Sequence, residues 1–300
     1  MATSASEGAS ACTHLHALDI GFAHFTWGQM AVLGVVQGIT ELLPISSTAH
    51  LRVIPALLRW QDPGSAFSAA MQLASLLAVV TYFWRDIARM LTAGAQSIRQ
   101  RNLTSSDSRM LVGIIIGTIP IGICGLLLHF VLNVCHSPMR SLTVIGMACI
   151  VMSLLLAGAE RYARHSRKFG ELTLRDGVWV GLAQAFALVP GVSRSGATLT
   201  AALYCGMERE TAARFSFLLG LPAIVLAGGY ELRELIKAGL SSAGWGTLAV
   251  GLAVASITAF FAIYWLLHYL EKRTTWVFVW YRFALGVLLI GGVALGVLHG

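Results

Sequence analysis

Six stretches of this chain, near 64–84, 110–133, 141–159, 213–230, 244–268 and 282–298, are apolar for long enough to approach the hydrocarbon thickness of a bilayer, about 30 Å. In lipid such segments fold as helices, because a spanning segment must satisfy its own backbone hydrogen bonds. Composition agrees, with 56% hydrophobic and only 12% charged residues, whereas soluble domains carry about a quarter charged. The net charge of +7 raises nucleic acid as a partner, but Lys and Arg sit in short clusters between apolar runs. That is the pattern of topology determinants, and no nucleic acid is expected.

The basic clusters alternate. Arg85, Arg89, Arg99, Arg101 and Arg109 follow the first stretch, Arg161, Arg164, Arg167, Lys168 and Arg175 the third, and Lys272, Arg273 and Arg282 the fifth. Arg140 stands alone after the second, and near 231–237 Arg233 and Lys237 are balanced by Glu231 and Glu234. The clustered loops are expected on the cytoplasmic side, with both termini outside. Trp276, Trp280 and Tyr281 resemble an interfacial aromatic belt. Cys12, Cys124, Cys135, Cys149 and Cys205 lack CxxC spacing and suggest neither disulfides nor zinc. Residues 1–27 have no Lys or Arg, hence no signal-peptide n-region, and are expected to be a poorly ordered extension. His14 and His16 within it have no further ligand nearby to make a metal site.

Two further apolar segments, 28–58 and 177–205, are each broken by Pro and clustered polar residues. Broken backbone at membrane depth is tolerated only where protein or a water-filled cavity satisfies it, which two half-helices in a re-entrant hairpin achieve. The segments resemble each other: Pro44-Ile45-Ser46-Ser47 aligns with Pro190-Gly191-Val192-Ser193, and Phe67-Ser68 matches Phe215-Ser216. Gly34-Val35-Val36-Gln37 lies about one residue out of step with Gly181-Leu182-Ala183-Gln184. The expected fold is an all-α polytopic membrane protein of about six transmembrane helices plus two re-entrant helical hairpins. Residues 28–300 would form one membrane domain, with repeats at about 28–160 and 176–300. Each copy crosses an odd number of times, so the second is inverted, with the site where the broken helices meet.

Each break places Pro before small hydroxyl residues, the chemistry of a helix start. Two helix N-termini aimed inward form an anion site that suits a diphosphate. Ser46, Thr48 and Ser193 are candidates to bind it, and Arg194 can hold phosphate oxygens in a bidentate fork. Gln37 and Glu41, four apart, share one helical face; Ser47 and His50, three apart, share another. A carboxylate in an apolar segment is costly unless partnered, so Glu41 is read as functional, with His50, Arg194 or a metal ion as partner. The alternative is a salt bridge that merely locks the hairpins together. Arg52 lies off the His50 face and is expected at headgroups, and His129 and His268 are expected to pack or sit at the interface. Ser195 and Thr198 rank below Ser193, because their hydroxyls can bond backbone carbonyls instead.

The segments QGITELLPISSTAH and PGVSRSGAT resemble the two signature segments of the undecaprenyl-diphosphate phosphatase family, the bacitracin-resistance proteins, and the likeness runs over most of 28–298. The resemblance implies a bacterial inner-membrane enzyme, dependent on a divalent metal such as Mg²⁺ or Ca²⁺, that hydrolyses undecaprenyl diphosphate to the monophosphate and recycles this lipid carrier for cell-wall synthesis. Its catalytic pattern falls on Glu41, Ser47, His50 and Arg194, with Glu41 and Gln37 as the metal side. Gln37 replaces the first carboxylate of the pattern, and Ala49 stands where Gly is common. Either Ser47 attacks the terminal phosphate or His50 or Glu41 activates a water; the sequence leaves both open. Access is expected from the outer (periplasmic) side, whose rim is lightly charged. The competing class is a transporter or flippase that moves a lipid phosphate or other anion through the same midplane site. A homodimer is one option left open.

Overall fold

The computed structural model of the chain describes residues 21–103, 105–131, 141–237 and 239–298. Cys12, His14, His16, Cys135, Arg140 and the side chain of His129 lie outside what it describes. The described chain opens with a 3-10 turn, Gly21–His24. Its Phe22 and the nearby Phe25 are buried with Met30 and Phe67. Thr26 and Gln29 then form a reciprocal capping box that starts α1, Trp27–Leu42.

Helix α1 stops at Leu43, which is extended (φ −68°, ψ 143°), as the residue before a proline must be. After Pro44 the chain re-enters helix as α2 (Ser47–Leu57). It continues through α3 (Ser65–Tyr82), α4 (Trp84–Gln100), α5 (Ser106–Val131) and α6 (Leu142–Tyr162). The second half repeats the plan. Helix α7 (Leu174–Ala185) and a 3-10 turn, Phe186–Leu188, end at Val189, again extended before Pro190. Then follow α8 (Arg194–Tyr204), α9 (Arg209–Lys237), α10 (Ser242–Lys272) and α11 (Trp276–Ala294).

Among the described residues five helices, α5, α6, α9, α10 and α11, are long and apolar enough to cross a membrane, or six if the bent pair of α3 and α4 makes one span. The protein is an all-α polytopic membrane protein. Helices α1 and α7, with 16 and 12 residues, reach only about 24 and 18 Å at 1.5 Å per residue and are too short to cross.

Two local expectations are corrected. The basic stretch after α3 is not simply a loop: the chain bends by 77° at Phe83 and continues as amphipathic α4, whose buried face is Asp86, Met90, Gly94 and Ser97. The last span begins at Trp276 rather than 282, because Arg282 is a fully buried residue inside it.

Helix contacts are reciprocal between the halves, as an internal repeat requires. Helix α1 packs along α10, while α7 packs along α5. Small residues carry both contacts. A Cβ on Gly34 would stand 2.8 Å from the Gly251 carbonyl oxygen, and one on Gly181 would stand 2.3 Å from that of Gly117. Backbones that approach this closely use the small-xxx-small pattern of membrane helix pairs. Helices α6 and α11 cross through Gly146 and Gly286 in the same way.

At the end of the bundle that carries the basic loops, ion pairs join the halves. Glu160 at the end of α6 holds Arg209 of α9 and, at 2.8 Å, the Thr275 hydroxyl before α11. Asp86 of α4 pairs with Arg214 of α9, and Arg167 makes two hydrogen bonds to Asp176 at 2.8 and 2.7 Å. Arg167 is therefore part of the fold's ion-pair network.

Candidate active site

The two proline breaks meet in the interior. Each half-helix that follows is started by a serine forced into the left-handed region, Ser46 at φ 74° before α2 and Ser193 at φ 67° before α8. Such a conformation costs about 1–3 kcal/mol in a residue with a side chain and persists only where its surroundings hold it. Here the serines cap: the Ala49 N–H donates to Ser46 Oγ and the Gly196 N–H to Ser193 Oγ, at 3.4 and 3.2 Å.

These caps fix the register of the repeat. Ser46 is the counterpart of Ser193, and Gly34 with Gln37 stays in step with Gly181 and Gln184; the prolines are what fall one residue out of step. The first-turn position filled by Ser47 in one copy is therefore filled by Arg194 in the other. The two similar breaks thus place a hydroxyl opposite a cation.

Glu41, on the last turn of α1, is the point on which the site residues converge. The Gln37 amide donates to its Oε2 at 3.2 Å, and the Ser47 hydroxyl donates to the same oxygen at 2.6 Å. Arg194 Nη2 donates to Oε1 at 3.0 Å. One carboxylate thus links both breaks and both half-helices. Arg194 reaches it because α9 has no side chain in the way: a Cβ on Gly220 would sit 1.7 Å from Arg194 Nη1.

His50 is buried one helical turn further on. Its Nδ1 is 2.7 Å from the Ser46 carbonyl oxygen and its Nε2 is 2.6 Å from the Tyr281 hydroxyl. A carbonyl only accepts, so Nδ1 carries the proton, and in the neutral ring Nε2 accepts from tyrosine. His50 therefore neighbours the Glu41 cluster through Ser46 rather than through a direct bond to the carboxylate.

The remaining polar residues divide as their chemistry suggests. Ser195 donates to the carbonyls of Glu41 and Leu43 at 3.0 and 3.1 Å, stitching α8 to the first break, and Thr198 donates to Arg194 O at 2.8 Å. Thr48 is half-buried at the start of α2. Arg52 is paired with Asp62 at 3.0 Å.

Sequence reasoning missed Arg282 and Tyr281. Arg282 Nη1 donates to Pro44 O at 3.2 Å, and Nη2 donates to Gly191 O and Val192 O at 3.0 and 2.8 Å. A single guanidinium thus ties down the open carbonyls of both breaks. The signal was present: a charge within an apolar run is as costly for arginine as for Glu41. Its nearness to Lys272 and Arg273 made it look like a loop residue. Gln184, the counterpart of Gln37, is also fully buried, with neither amide atom hydrogen-bonded.

Residues 30–288 match the family model described as bacitracin resistance protein BacA. Undecaprenyl-diphosphatase 2 of Mesorhizobium japonicum is 59% identical over 261 residues, 87% of this chain and 99% of that protein. The undecaprenyl-diphosphatase of Gloeobacter violaceus is 51% identical over 267 residues, 89% of this chain and 92% of the relative. That of a Nostoc species is 49% identical over 272 residues, covering 90% and 85%.

Proposed function

Because the chain belongs to the bacitracin resistance protein BacA family, we propose that it is a bacterial inner-membrane phosphatase that hydrolyses undecaprenyl diphosphate to undecaprenyl phosphate and inorganic phosphate. The reaction returns the lipid carrier to cell-wall synthesis. In this reading α1–α2 and α7–α8 are re-entrant hairpins that enter from opposite faces of an inverted repeat. The basic loops face the cytoplasm, and the site opens to the outer side.

The observation that supports it most is the 2.6 Å bond from Ser47 Oγ to a carboxylate whose other oxygen is held by Arg194. A nucleophile within hydrogen-bond reach of a base, with a third group orienting the base, is the arrangement of covalent catalysis. The helix N-termini at Ser47 and Arg194, with the Ser46 and Ser193 hydroxyls and Thr48, receive the terminal phosphate. Arg194 then offsets the charge that builds on its oxygens.

Ser47 Oγ attacks the terminal phosphorus as its proton passes to Glu41, and the bridging P–O bond breaks. Undecaprenyl phosphate leaves with the bridging oxygen. Water then attacks the phosphoserine and gives up a proton to His50, which passes it on to solvent, while Glu41 returns its proton to Ser47 Oγ. The Ser–P bond breaks, inorganic phosphate is released and Ser47 is restored. The Ser47–Glu41 bond supports Glu41, rather than His50, as the acceptor of the Ser47 proton. Tyr281 and the Ser46 carbonyl hold the His50 ring in one tautomer for the second step.

A divalent cation suits the donors present. Glu41 offers a carboxylate, and the buried Gln37 Oε1 has no hydrogen-bond partner. No group of three His, Cys, Asp or Glu among the described residues makes a protein cage. One carboxylate plus substrate phosphate oxygens is a usual setting for Mg²⁺. When bound there, the ion would neutralise phosphate charge.

Phosphate release by purified protein in detergent is expected to stop in EDTA and to return with Mg²⁺ or Ca²⁺. A full rate in EDTA would remove the cation from the mechanism. No release under any condition would favour the transporter reading.

A further inference from the structure

We propose that the groove between α5 and α9 holds the prenyl tail of the substrate. This rests on the phosphatase reading of the Glu41 site and assigns the part of the substrate that the site does not touch. The groove has a volume of about 390 Å³ and is lined almost wholly by apolar side chains. Gly122 and Gly125 of α5 leave it open on one side and Ala223 and Ala227 of α9 on the other, with Leu188 beside them.

Its position beside the site, one helical turn along α9 from Gly220, points to the occupant. Gly220 of α9 abuts the Arg194 guanidinium. Ala223, Ala227 and Tyr230 follow on the same helical face, at spacings of three, four and three residues. The stripe therefore starts at the cation that receives phosphate and runs toward the end of the bundle away from the basic loops. Ten residues of helix cover about 15 Å, room for the first few isoprene units of a tail whose diphosphate lies at Arg194. Leu188, two residues before Pro190, places the second break at the same junction.

The repeat shows that the groove is not a packing necessity. Ser68 and Ser216 each donate to the carbonyl four residues back, at 3.2 and 2.7 Å, which pairs α3 with α9. Ala223, Ala227 and Tyr230 then correspond to Ser75, Val79 and Tyr82. In the first copy this face is closed against α10: Ser75 and Val79 are fully buried, and Tyr82 packs edge-on against Phe260. In the second copy the same face is exposed at Ala227 and Tyr230. One repeat closed its cleft with side chains, and the other kept an apolar groove that begins one helical turn from the residue abutting Arg194.

The test fills the groove without touching the site. A Cβ on Gly122 would meet nothing within 4 Å, and one on Gly125 only Leu188 Cδ2 at 3.9 Å, so Gly122→Leu and Gly125→Leu place bulk in the groove and not in the core. In mixed micelles at fixed surface concentration, both variants are expected to raise KM for undecaprenyl diphosphate about tenfold with little change in kcat. KM for dimethylallyl diphosphate, with one isoprene unit, should stay at the wild-type value, and Ile123→Leu on the exposed side of α5 should change neither.

An unchanged KM for the long substrate, or an equal rise for both substrates, would overturn the proposal. A catalysis-independent arm separates it from the phosphatase reading: a diazirine-bearing prenyl diphosphate should crosslink to residues 121–126 and 223–230. Crosslinks confined to other helices would overturn the groove even in an active enzyme. Crosslinks in the groove of a protein that released no phosphate would retain it and reject the enzyme.

Discussion

Glu41→Gln is expected to lower kcat for phosphate release from undecaprenyl diphosphate by about 10³-fold, within the usual range for losing a general base, while the protein remains folded. Glutamine keeps the size of the side chain and can still accept from Ser47 or Arg194 through its carbonyl oxygen. What it cannot do is take the Ser47 proton or offset the Arg194 charge. The variant separates chemistry from architecture, since Glu41 also joins the two breaks through Arg194 at 3.0 Å. Thermal unfolding in detergent measured beside kcat checks the division. A Gln variant that kept most of the wild-type rate would place the base elsewhere, with His50 the nearest titratable alternative on α2.

Arg282→Met is expected to damage both stability and activity. Its guanidinium supplies hydrogen bonds to Pro44 O, Gly191 O and Val192 O at the two breaks, where Gly191 O otherwise has only the weak Cys149 thiol donor at 3.7 Å. Each buried carbonyl left without a donor costs about 1–3 kcal/mol. The left-handed conformations of Ser46 and Ser193 would lose the contact that holds the adjacent backbone. The unfolding midpoint in detergent should fall by roughly 10 °C, taking a few kcal/mol at 2–4 °C each. Phosphate release should drop far more than stability alone explains, because both helix N-termini shift. Arg282→Lys keeps the charge and part of the bonding and should fall between. A fully stable, fully active Met variant would show that the breaks hold their shape without this clamp.

The local chemistry of the site was legible in the sequence. The i, i+4 spacing of Gln37 and Glu41, the prolines followed by serines and the lone Arg194 are short-range signals, and Gln37, Glu41, Ser47 and Arg194 come together in the structure. The apolar runs also gave the membrane class and most of the helices. What was not legible depended on distance along the chain. Tyr281 meets His50 across 231 positions, and Arg282 meets Pro44 across 238; no local pattern pairs them.

Two other differences have local causes that were outweighed. Helix α4 carries an apolar period through Ile87, Met90, Leu91 and Ile98, but its arginines resembled a loop. The proline-to-proline alignment of the repeats was one residue off because helix register is set by capping hydroxyls, and the caps are Ser46 and Ser193.

The central claim is that two diverged copies of one helix break build a single phosphate site, Ser47 from the first and Arg194 from the second. Phosphate release from undecaprenyl diphosphate by wild type, Ser47→Ala, Arg194→Ala and the double variant measures this directly. Residues that act as a unit are strongly non-additive. The account predicts release by wild type, a loss of several hundred-fold or more in each single variant, about as large as for removing an electrostatic donor, and a double variant no worse than the poorer single one. Losses that multiply in the double variant would mean that the two residues act independently, and would contradict it.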